Sequence, residues 1–144
     1  MRIKKIDHVG VAIRDLDSMR PLFRILFCGM NPHCEEVEDQ GVKATCFRVG
    51  ETSIEFLEST RENGPIGKYL AKKGSGIHHL AVHVEGIEEA LAELKEAGIP
   101  LVDETPRLGA EGKKIAFLHP KGTGGILIEL CEGGTGAEAP KKQP

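Results

Sequence analysis

The chain has 144 residues, 40% of them hydrophobic, and a formal net charge of −3. That suffices for one compact domain with an ordinary core, and the charge offers no basic field to attract nucleic acid. No apolar run approaches the length that spans a membrane, and Met1-Arg-Ile-Lys-Lys leads into a strand without a signal-peptide pattern.

The first strand is predicted over "IDHVGVAI", Ile6 to Ile13. A helix follows, from about Asp17 to Cys28, with Met19, Leu22, Phe23, Leu26 and Phe27 as its apolar side. Pro21 is tolerable there because it falls in the first turn. Strands come next in "GVKATCFRVG" and "SIEFLE", then a linker, "STRENGPIGKYLAKKGSG", with a short helix near Pro65 to Lys72. The second strand–helix pair begins at "IHHLAVHV", Ile77 to Val84. Its helix shows Ile87, Leu91, Leu94 and Ala97 on one face, is capped by Gly98 and is followed by Pro100. Strands in "GKKIAFLHPKG" and "LIELCE" complete the series, and "GGTGAEAPKKQP" reads as a flexible tail.

The chain is written twice. Ile6 aligns with Ile77 and Gly41 with Gly112, both at an offset of 71, and the closing strands align at an offset of 74. The expected fold is therefore α+β: two tandem βαβββ modules, about 4–60 and 76–132, in one domain over 1–132, with 133–144 as the tail. The cleft of an open barrel between paired modules would be the natural ligand site.

Strand parity sorts the polar residues. Ile6, His8, Gly10 and Ala12 share one face, and Ile77, His79, Ala81 and His83 share the equivalent one. Glu55 matches Glu129, each between apolar residues that point the other way. A single strand histidine is usually a hydrogen-bonded or surface group, and a single glutamate is usually solvated. Two histidines and two glutamates at repeat-related positions, with common parity, point instead to a shared metal site. Such a set suits an octahedral divalent ion with two open places: cobalt, manganese, nickel, iron or zinc. His78 faces away and is expected to be structural. His83 lies roughly 13 Å from His79 along the strand, too far for the same ion. His33 and His119 are expected in or near turns. The four cysteines, Cys28, Cys34, Cys46 and Cys131, have no metal-knuckle spacing and read as thiols in a reducing cytoplasm.

The doubled unit with its two His/Glu pairs resembles the vicinal oxygen chelate superfamily, which has the glyoxalase fold. Within it, "GPIGKYLAKKGSGIHHLAVHV" and "LVDETPRLGAEGKKIAFLHPKGTGGILIELCE" make the chain similar to the methylmalonyl-CoA epimerase family of propionate metabolism. The resemblance covers Ile6 to Glu132. It implies metal ligands at His8, Glu55, His79 and Glu129, with cobalt first among the metals and manganese, nickel or zinc as alternatives. It also implies a homodimer, a coenzyme A thioester substrate, and interconversion of (R)- and (S)-methylmalonyl-CoA through a metal-stabilised enolate. For a homodimer, the outer-face residues Val9, Val11, Leu80 and Val82 would need cover.

Proton transfer at C2 would fall to Glu129 and, opposite, to Glu55 or a water. Some members of the family carry a glutamate where this chain has Ala44. Lys72, Lys73, Lys113, Lys114 and Lys121 are available for coenzyme A phosphates, with Lys121 the choice for cofactor binding. Two other readings use the same fold: a glyoxalase I-type lactoylglutathione lyase, and a metal-free small-molecule binding protein. An extradiol dioxygenase would leave Glu55 without a role and would need an aromatic pocket, yet there is one Tyr, no Trp and five Phe.

Overall fold

The structure, a computed structural model, describes residues 2–133. The tail expected from the sequence lies, from residue 134 on, outside the described residues. The described residues form two compact units, His8–His78 and a second made of those before His8 with those from His79 on.

The first unit contains the end of β1 (Ile3–Ala12), α1 (Arg20–Leu26), β2 (His33–Val37), β3 (Val42–Val49), β4 (Thr52–Ser59) and α2 (Pro65–Lys73). Its strand order is β2-β3-β4-β1, with β1 parallel to β4 and the other pairs antiparallel. One face is closed by α1. Phe23 and Phe27 pack there on Phe47 and Phe56, with the Phe27 and Phe47 rings stacked at 4.3 Å. The opposite face is half covered: Ile66 and Leu70 of α2 bury Ala12, Val42 and Leu57 at one end, leaving the end that carries His8 and Glu55 to other uses.

The expected first helix is shorter than its apolar pattern. A 3-10 turn, Leu16–Met19, precedes the α-helix, which begins around Pro21 and ends at Leu26. Proline has no N–H to give and sets the start of the α ladder, while the Asp15 side chain accepts from the Asp17 N–H at 2.8 Å to cap the turn. The linker helix falls where expected. It ends at Gly74, and beyond it the Tyr69 hydroxyl donates to the Ile77 carbonyl at 2.9 Å, with its ring edge-on to His78 at 4.9 Å.

The second unit holds β5 (Gly76–Val84, from His79), α3 (Ile87–Glu96), β6 (Arg107–Leu108), β7 (Lys114–Leu118) and β8 (Ile128–Glu132), in the order β5-β8-β7-β6. Here too the first and last strands pair in parallel. Gly98, at φ +79°, follows α3 as its pattern predicts. The core is aliphatic: Ile87, Ala90 and Leu91 of α3 lie on Val82, Val84, Leu118 and Leu130.

This packing corrects the expectation for two of the four outer-face residues. Val82 is 8% exposed beneath α3, and Val11 packs with the α1 cluster, so helices of their own units cover them. They supply no argument for a dimer.

Candidate metal and proton-transfer site

Each unit builds a His–Glu pair by the same register. In the first, Gly10 of β1 lies directly across from Glu55 of β4, and His8 stands two residues earlier on the same face. In the second, Ala81 of β5 lies across from Glu129 of β8, and His79 again stands two residues earlier. A glycine or an alanine opposite each carboxylate leaves room for the imidazole to reach it. His8 Nδ1 is 3.6 Å from Glu55 Oε2, and His79 Nε2 is 3.4 Å from Glu129 Oε1.

These spacings exceed the roughly 2.7–2.9 Å of a charge-assisted hydrogen bond. The His79–Glu129 spacing falls within, and the His8–Glu55 spacing just above, the roughly 3.0–3.5 Å between two donors that each sit about 2.1 Å from one ion. His8 is 8% exposed, His79 7% and Glu129 6%, while Glu55 is only half-buried. Burying a carboxylate is costly without a cation or a hydrogen-bonded partner. The donor chemistry therefore fits a divalent ion in both units.

The surroundings of the two pairs differ. Phe117 of β7 pairs with Glu129 in register, and its ring meets His79 edge-on at 6.1 Å. The repeat-equivalent residue is Cys46 of β3, paired with Glu55, and beyond it β2 brings His33 into the same row. His33 thus opens a strand, soon after the turn at 27–29. His119 does lie at a turn, where Nδ1 accepts from the Lys121 N–H at 3.1 Å. Lys121 itself is exposed in the turn Pro120–Gly122.

His83 belongs to another group, which parity did not find. Ligand-type atoms of Asp7, His83 and Cys131 lie within 4.8 Å of one another in the second unit. The Lys113 ammonium, 3.2 Å from Asp7, already supplies a positive charge there. Burial, reinforced by the charges of Asp7 and Glu129, pushes the Cys131 thiol well above its ordinary range, which keeps it protonated. All four cysteines are free thiols, as expected.

Residues 7–117 match the model of the glyoxalase/bleomycin resistance protein/dioxygenase superfamily, so the chain belongs to that superfamily. It is a homologue of methylmalonyl-CoA epimerases. It is 35% identical to the ethylmalonyl-CoA/methylmalonyl-CoA epimerase of Cereibacter sphaeroides over 89% of this chain and 97% of that one. A Bacillus subtilis protein, YqjC, is 36% identical over 90% of this chain and 93% of its own. A solved methylmalonyl-CoA epimerase in complex with methylmalonyl-CoA and NH4+ superposes with a TM-score of 0.83 at 34% identity, covering 96% of this chain and 99% of that one. The α+β class and the doubled βαβββ unit read from the sequence are those of this fold.

Proposed function

We propose that the protein interconverts the (R) and (S) epimers of methylmalonyl-CoA, with His8, Glu55, His79 and Glu129 as ligands of a divalent metal ion. The observation that carries this reading is the recurrence of the His–Glu pair at the same register in both units, in a homologue of such epimerases.

The C2 hydrogen of the substrate lies between a thioester and a carboxylate, so its removal leaves an enolate whose charge grows on the thioester oxygen. A divalent ion held by the four residues would stabilise that charge where it develops. Glu129 is the first candidate to hold or move the proton, because it is a buried carboxylate whose neighbours Phe117 and His79 exclude water. Glu55, more open to solvent, serves chiefly as a ligand. Cobalt is the first metal to try, then manganese, nickel and zinc. Lys121, exposed and cationic, is the candidate to meet a coenzyme A phosphate, and the active form is a homodimer on the family's pattern.

The test incubates metal-loaded protein with one epimer in deuterated water. Appearance of the other epimer, with deuterium at C2, supports the reading. Failure of both, with lactoylglutathione formed from the glutathione hemithioacetal of methylglyoxal, would replace it by the lyase reading. Purification without bound metal, and no gain on adding it, would favour a binding protein.

A further inference from the structure

Epimerisation needs a proton-transfer group on each side of C2, and the face of the first unit that carries His8 and Glu55 has few to offer. Its rows can be read from the register. One row runs Gly10, Glu55, Cys46, His33 across β1, β4, β3 and β2. The next runs Ala12, Leu57, Ala44, Glu35. Position 44 is too small to reach anything and carries no acid. The one carboxylate that joins Glu55 on the inner-facing positions of these two rows is Glu35, at the edge.

We propose that Glu35, oriented by His33, is the acid–base group for one face of C2. This rests on the epimerase reading above. Three observations carry it. The Glu35 carboxylate does not stay over its own row: Oε1 lies 3.7 Å from His33 Nε2, which stands in the Glu55 row. The row of Leu57 and Ala44 lies under the α2 cluster, but in the row that Glu35 leans toward only Cys46 stands between His33 and Glu55, so no large side chain of the sheet fills that interval. Two strand spacings, about 10 Å, separate the β2 and β4 backbones. With one glutamate reaching in from each side, that interval is the size of a short acyl group. Glu35 is also partly exposed, with 36% of its side chain open, as a group that exchanges its proton with water between turnovers should be.

In the step assigned to it, the Glu35 carboxylate accepts the C2 proton of one epimer. The C–H bond breaks and its electron pair passes into the thioester as the enolate. A proton returned to the opposite face from a second group forms the new C–H bond and leaves the inverted centre. Glu35 then gives up its proton, and in the reverse direction it is the donor. No oxidant or co-reactant is consumed.

The variant Glu35→Gln keeps the shape and removes the base. Each epimer is incubated separately in deuterated water with metal-loaded wild type and variant, and both C2 exchange and inversion are followed. The expected result is a loss of epimerisation of about 100-fold or more, with metal content and thermal unfolding unchanged. One epimer, the one deprotonated by the remaining group, should still exchange its C2 hydrogen without inverting. Adding Ala44→Glu to Glu35→Gln, which returns a carboxylate to the same row, should restore part of the inversion. Epimerisation by Glu35→Gln within about threefold of wild type would overturn the assignment, and so would equal loss of exchange for both epimers. If wild type neither exchanges nor inverts either epimer, the functional reading fails first, and the assignment falls with it.

Discussion

Glu58 and Glu132 perform the same task in different units. Glu58 Oε2 accepts from the Leu16 N–H at 2.7 Å, where the first helical segment starts. Glu132 accepts from the Gly86 and Ile87 N–H groups at 2.9 and 3.0 Å, where α3 starts. Each lies three residues past the glutamate of its unit's His–Glu pair on the same strand and so faces the other way. One strand thereby serves the site with one carboxylate and anchors a helix with the next. Truncating Glu132 to Ala leaves two helix N–H groups unpaired and removes a negative charge from the positive end of α3. It should cost about 1–2 kcal/mol in urea unfolding, with the slope unchanged. Glu58→Ala, which loses one bond, should cost less.

Substitutions in the two His–Glu pairs should separate ligation from proton transfer. His79→Ala should lower bound metal well below one per chain and abolish activity, measured on the same sample by elemental analysis and turnover. The control, His78→Ala, should keep metal and activity, because His78 packs on Tyr69. Glu129→Gln should lose nearly all turnover, since an amide accepts no proton, whereas Glu55→Gln retains a ligand oxygen and should be milder. Equal and slight effects of the two glutamine variants would show that Glu129 is not the proton-transfer group.

Thiol reactivity should divide the cysteines. Cys28 and Cys34 are exposed, and Cys131 is buried with its thiol proton firmly held. A water-soluble disulfide reagent should modify Cys28 and Cys34 in the native protein and reach Cys131 only with denaturant. Rapid native modification of Cys131, located by peptide mass, would contradict the packing.

The Asp7–Lys113 pair makes a pH prediction. Burial alone would lower the Lys113 pKa, but the charge of Asp7 and its hydrogen bond outweigh burial, and the net shift is upward. A group raised in the folded state contributes fully below its unfolded value, near 10.4, and the contribution fades as pH climbs through the higher folded value. Lys113→Met should therefore cost about 1 kcal/mol, and the deficit should stay level between about pH 6 and 9. A deficit that shrinks across that interval would contradict the sign.

Much of the site could be read from the chain because a strand has a strict two-residue period. Parity and the repeat alone put His8, His79, Glu55 and Glu129 on matching faces, and both pairs form. Less legible were features that depend on contacts remote in sequence. Glu58 and Glu132 look like solvated strand-end acids until the helix starts are folded over them. β2, "HCEEV", has almost no apolar alternation and was anonymous in the pattern; its register with β3 is what turns His33 and Glu35 toward the Glu55 face. The cover over Val11 and Val82 likewise follows from helix docking, which periodicity does not specify.

The hydrogen bond from Tyr69 to Ile77 has an optical consequence. Tyr69 is the single tyrosine, and there is no tryptophan, so near-ultraviolet emission comes essentially from one ring. That ring is tied to the carbonyl just before His78 and His79 and flanked by the Lys73 ammonium at 5.8 Å. Fluorescence of the unlabelled protein is therefore a local gauge of the joint between α2 and β5. Titrations of metal or thioester that disturb the joint will register there without any engineered chromophore.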